Sequence, residues 1–183
     1  GYHGRVTFYL GERDETIEQV NEKLLSYPSR FIAEQLTFMD ADLFRKLVPN
    51  ECLGSIWCQR DKEENQHVAS TVWAIITQFN NVSKCVTSTT LRPQQLKPRQ
   101  RTKIIEKWIN VAQECRILQN FSSVRAIIAA LQTKSVFKLQ KTWAAMSKRL
   151  GSEISLAAMR FTRTTAMKGF CGTMVMSPSL GFK

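Results

Sequence analysis

Residues 101–143, RTKIIEKWINVAQECRILQNFSSVRAIIAALQTKSVFKLQKTW, decide the fold. Apolar side chains fall at Ile104, Trp108, Val111, Cys115 and Leu118, and Ile105, Ile109 and Ala112 widen the stripe. That is helical spacing over about four turns. Asn120 and Ser122 then interrupt the chain. The Ser122 hydroxyl can accept the free N–H groups of a second helix, whose apolar side runs Val124, Ile127, Ile128 and Leu131. Two helices therefore meet at a tight capped corner.

Upstream, Ile17, Val20 and Leu24 predict a first helix over about 15–25 that Pro28 stops. Ser29 is positioned to cap a helix through Ala33 and Leu36, and Asp40 to cap another through Leu43, Phe44 and Leu47 that Pro49 ends. The polar run QRDKEENQ, 59–66, reads as a solvated loop. Val68, Val72, Ile75, Ile76 and Phe79 then form another amphipathic stripe, and RPQQLKPRQ, 92–100, is a connection. RVTFYL, 5–10, alternates like a strand but has nothing evident to pair with, so it is taken as part of a lead-in. The expected core comprises Leu36, Phe44, Trp57, Ile76, Phe79, Trp108, Ile109, Leu118, Ile127, Leu131 and Trp143.

The 183 residues suffice for one domain with its own core, and 43% apolar with 22% charged is ordinary for a globular protein. The longest apolar run, AIIAAL at 126–131, is far short of the ~18 residues that a membrane span needs. The expectation is a cytoplasmic monomer without a membrane span. Cys52, Cys58, Cys85, Cys115 and Cys171 form no CxxC pair and only His3 and His67 could join them, so a zinc site has poor support. Cys115 reads instead as a small core residue.

Charge is lopsided. Residues 1–91 carry 9 Lys and Arg against 12 Asp and Glu, whereas 92–183 carry 17 against 3. The basic residues are scattered over helix faces without aromatic interleaving, so nucleic acid is not an expected partner. There is no GxxxxGK[ST] and no GxGxxG to cradle phosphates, and no elbow or His arrangement for nucleophilic catalysis. No cofactor and no catalytic residue are expected.

The blocks AEQLTFMDADLF, LGSIW, IIEKWINVAQECRILQNFSS and SVFKLQKTW occur in an order that resembles the catalytic domain of Ras-family guanine nucleotide exchange factors, in the branch of the Ral guanine nucleotide dissociation stimulators. The resemblance covers roughly Phe31 to Arg149. It implies an all-α, Ras guanine nucleotide exchange domain-like helical array, incomplete at the C-terminus, with 30–149 as the exchange portion; outside it, residues 1–29 read as lead-in, and 150–183, with its glycines and weak periodicity, as a divergent, poorly ordered tail. It also implies a Ras-family small GTPase of the Ral type as partner. Exchange factors of this kind displace the switch that orders nucleotide and Mg²⁺, which requires no covalent chemistry.

Carried over by position, the residues facing the GTPase's second switch are Arg125, Gln132 and Phe137. Phe137 stands where many relatives carry Tyr, and Trp73 where relatives often carry Arg. Considered alone, a single Phe is more often core, Gln132 can simply end a helix, and a helical Arg is commonly solvated. Asn120 and Phe121 read as structural, Asn tolerating left-handed geometry and Phe plugging the corner. The family's inserting helical hairpin finds no counterpart in the residues after Arg149, so the resemblance leaves two expectations: an exchange factor, or an interaction fragment that binds without releasing nucleotide.

Without a phosphate loop, the chain alone should retain no labelled GDP or GTP in equilibrium dialysis. Stoichiometric retention would overturn its reading as a partner of a nucleotide-binding protein.

Overall fold

The computed structural model describes residues 15–47, 62–63 and 66–146. All regular structure among these is helical: α1 (Ile17–Ser26), α2 (Ser29–Arg45), α3 (Gln66–Leu91), α4 (Pro98–Ile117), α5 (Phe121–Leu131) and α6 (Lys134–Phe137), with a further helical stretch at 140–146. The all-α expectation holds. RVTFYL, Trp57 and the tail after residue 146 lie outside the described residues, as do Cys52, Cys58, Cys171 and His3.

Local chemistry sets the ends. Thr16 caps α1 reciprocally: the Gln19 N–H donates to Thr16 Oγ1 at 3.3 Å and the Thr16 N–H to Gln19 Oε1 at 2.9 Å. Pro98 opens α4, where its missing N–H costs nothing. The connection before it is clamped by Arg101, whose guanidinium donates to the carbonyl of Thr90 and, at 2.8 Å, to that of Pro93. A cation thereby sits at the C-terminal end of α3, on its Thr90 carbonyl, where the helix dipole favours it.

Two expectations about α2 are corrected. It is one helix of 17 residues, not two, with Pro28 in the N-cap position and no side-chain cap from Ser29. Asp40 caps nothing. It sits in the buried stripe Leu36, Met39, Asp40, Leu43, at i, i+3, i+4 and i+7.

Helix α4 is the hub, packing against α1, α2, α3 and α5, and α5 lies along α3. Trp108, only 1% exposed, anchors the main core with Leu24, Leu36, Val82, Val86, Ile104 and Ile127. Its indole N–H donates to Thr89 Oγ1 at 2.9 Å, and the Asn21 amide donates to the Thr89 carbonyl at 3.2 Å, joining α1, α3 and α4 in the interior. Of the expected core, Leu36, Trp108 and Ile127 are fully buried, and Phe44, Ile76, Phe79, Ile109, Leu118, Leu131 and Trp143 are partly so. The register of α3 explains one shift: Val72, Ile75, Val82 and Val86 face inward, so Ile75 takes the place expected of Ile76.

Replacing Trp108 with Ala removes the largest fully buried side chain among the described residues and should destabilise the domain by ~3–5 kcal/mol, a large part of a typical domain's stability. Urea denaturation followed by circular dichroism checks this, and a loss below ~1 kcal/mol would contradict the placement of Trp108 in the core.

Candidate functional site

The corner between α4 and α5 is made by two residues. Gln119 adopts φ 59°, the left-handed conformation. Its N–H donates to the Arg116 carbonyl at 2.9 Å and the Asn120 N–H to the Cys115 carbonyl at 2.8 Å, the paired bonds of a Schellman ending. Asn120 then starts the next helix, its Oδ1 accepting the Ser123 N–H at 3.2 Å. Both assignments differ from the sequence expectation. The left-handed residue is Gln119 rather than Asn120 (φ −86°), and the cap is Asn120 rather than Ser122. Phe121 does not plug the corner: it is 40% exposed on the first turn of α5.

A buried polar chain fixes this corner to α2. Ser123 Oγ donates to Asp40 Oδ2 at 2.7 Å, and the Asn120 amide donates to Ser123 Oγ at 3.0 Å and to Thr37 Oγ1 at 3.1 Å. The Thr37 hydroxyl donates in turn to the Ala33 carbonyl at 2.7 Å. Burial pushes the Asp40 carboxyl up to about 6 from its ordinary 3.8, against the hydrogen bonds from Ser123 and Asn120, which favour the charged form.

With the corner fixed, α5 turns Val124, Ile127 and Ala130 into the core. Arg125 and Gln132 are seven residues apart, within about 20° of the same side of the helix. Arg125 is half-buried, and Gln132, the C-terminal cap residue, is exposed. After a short turn, α6 packs against α3 and α5 through Val136, which is fully buried, and the adjacent Phe137 points outward at 70% exposure. The Trp143 indole N–H donates to the Val136 carbonyl at 3.0 Å and holds this turn from its far side. The expected contact residues thus lie on α5 and on the short helix packed against it. The default expectation of a core Phe at 137 is overturned, because its neighbour Val136 takes the inward position.

No group of three His, Cys, Asp or Glu that could hold a metal exists among the described residues. Burial pushes the thiols of Cys85 and Cys115 up to about 12, away from nucleophilic use. No described helix is long and apolar enough to cross a membrane. His67 lies in the first turn of α3. The Asp40–Ser123 contact was missed in the sequence, although its signal was present: Asp40 shares the apolar stripe of α2.

Exposed Phe137 thus stands on a short helix packed against α5, the helix that also carries Arg125 and Gln132. Residues 31–171 match the RasGEF domain, and the chain belongs to that family. It is 53% identical over 142 residues to Ral guanine nucleotide dissociation stimulator-like 1 of Mus musculus, covering 78% of this chain and 18% of that protein. Its human counterpart is 51% identical over 148 residues, covering 81% and 19%. The human Ral-GDS-related protein is 44% identical over 131 residues, covering 72% and 28%. The chain therefore spans about a fifth of the length of its first relatives.

The burial of the Asp40 carboxyl gives a signed pH dependence. Between 3.8 and about 6 the folded protein keeps on Asp40 a proton that the unfolded chain has lost, so stability falls as pH rises through that window. Relative to Asp40→Asn, which keeps an acceptor for Ser123 and does not titrate, the wild type should lose up to ~3 kcal/mol between pH 4 and pH 7. Urea titrations of both proteins across this range check it, and parallel profiles would contradict the buried carboxyl.

Proposed function

We propose that this chain is the exchange domain of a guanine nucleotide exchange factor for a Ras-family small GTPase, with Ral as its client, acting as a cytoplasmic monomer. Residues 30–149 supply the platform, and Arg125, Gln132 and Phe137 meet the second switch of the GTPase. The observation that carries this reading is the exposure of Phe137 at 70% on a helix whose neighbouring residue is fully buried. A large apolar side chain held in water by a pinned backbone is what an interface centre requires.

Catalysis of this kind is differential binding. The factor accelerates GDP release only as far as it binds the nucleotide-free GTPase more tightly than the loaded one, and nucleotide weakens the factor's grip by the same ratio. Apolar burial of Phe137 against the second switch would supply affinity, and Gln132 would orient it by hydrogen bonds. GTP, binding the emptied GTPase, then completes the exchange. The names of the relatives support Ral as the client.

Release of fluorescent GDP from Ral should accelerate in the presence of the chain, and the Phe137→Ala, Gln132→Ala double variant should lose at least ~10-fold of that effect. Binding to Ral without acceleration would instead identify the catalytically impaired interaction fragment. Absence of both binding and acceleration, with Ral or any other Ras-family GTPase, would overturn the proposal.

A further inference from the structure

Phe137 does not stand alone. Lys134 and Lys138 flank it on α6 and at its cap, and Lys141 follows four residues on; all three are exposed. The Lys138 N–H donates to the Lys134 carbonyl at 3.1 Å, which places the two ammonium-bearing residues one turn apart on the same side. Like charges at that spacing oppose helix formation. The local sequence makes no effort to neutralise them. From Cys115 to Ser152 there are seven Lys and Arg and no Asp or Glu.

Elsewhere cations find partners. Lys23 pairs with Glu15, Arg30 with Glu34 at 2.9 Å and Glu114 at 3.2 Å, and Lys46 with Asp42 at 3.8 Å. Lys134, Lys138 and Lys141 make no ion pair with any described residue. A four-residue helix with one buried anchor, Val136, therefore carries one exposed aromatic among ammonium groups that no described carboxylate pairs with.

We infer that Lys134, Lys138 and Lys141 form an electrostatic collar around Phe137 that steers an acidic protein surface onto it. This rests on the platform reading above and adds the chemistry of its partner: a carboxylate-rich rim around an apolar recess. An apolar centre with a charged, hydrated rim is the anatomy of a protein interface. A membrane surface would favour several apolar residues in a plane, and single-stranded nucleic acid would favour several stacking rings; α6 offers one. Rim charges act mainly on association rate, while a desolvated centre acts mainly on dissociation, so the two roles are separable.

The test is stopped-flow association of the full chain with nucleotide-free Ral over about 0.05–0.5 M NaCl, a range in which the screening length falls to a few Å. The Lys134→Gln, Lys138→Gln, Lys141→Gln variant should associate about 10-fold more slowly at low salt, with a flattened salt dependence and a dissociation rate changed less than about 2-fold. Phe137→Ala should do the reverse, speeding dissociation and keeping the salt slope. Equal salt slopes for the wild type and the lysine variant would overturn the collar and leave the platform standing. The collar is equally overturned if the lysine variant loses only its binding to phosphatidylserine vesicles while Ral association is unchanged, which would assign the lysines to a lipid surface. No association of the wild type with any Ras-family GTPase would overturn the platform reading itself, and the collar with it.

Discussion

A carboxyl group buried without an ionic partner among the described residues fixes the geometry on which the rest of the structure depends. Asp40 is only 5% exposed, and the hydroxyl of Ser123 donates to it from the first turn of α5. One turn earlier on α2, Thr37 receives the amide of Asn120. The two contacts share one sequence offset, 83 residues, so a pair of positions three apart on α2 is matched to a pair three apart on the corner. A slip of one residue would break both bonds and strand polar groups in the interior, at ~1–3 kcal/mol for each neutral group and more for a charge. Apolar packing would tolerate such a slip far better.

From that latch the path to the surface is short. The Schellman ending at Gln119 and the cap at Asn120 leave α4 and α5 a single direction of approach. Once α5 is docked on α3, Val136 has a place to bury, and burying it turns Phe137 outward. The Trp143 bond to the Val136 carbonyl closes the arrangement from the following helix. The exposed aromatic is thus a result of packing decided in the core, and Arg125 and Gln132 inherit their side of α5 from the same docking.

The sequence was most legible where apolar side chains recur at three and four residues, as in α4 and α5, and where several family blocks occur in order. It was less legible in the C-terminal half of α3, VSKCVTSTTL, for which the recognised stripe ended at Phe79. β-Branched residues favour strands, and Thr hydroxyls compete with helix bonds. Here Thr87, Thr89 and Thr90 donate back to the carbonyls of Ser83, Cys85 and Val86, and the helix absorbs them. Asp40 looked like a cap because an acidic residue before an apolar run usually is one. Its true role is decided by Ser123, far along the chain. Whether Val136 or Phe137 faces the core is likewise invisible locally, since both are apolar and only the position of α3 and α5 separates them.

The 83-residue span of the latch also governs how the protein is made. During synthesis α2 emerges long before Asn120 and Ser123, and at roughly 5–20 residues per second the wait is on the order of 4–17 s. Until α4 follows, Ile32, Leu36, Met39 and Leu43 lack the helix they pack against, and Asp40, hydrated and charged, marks the apolar stripe with one soluble position. The nascent helix is thereby made less adhesive while it waits. The same carboxyl that later fixes the corner thus first sets one hydrated charge on a stripe that is otherwise apolar.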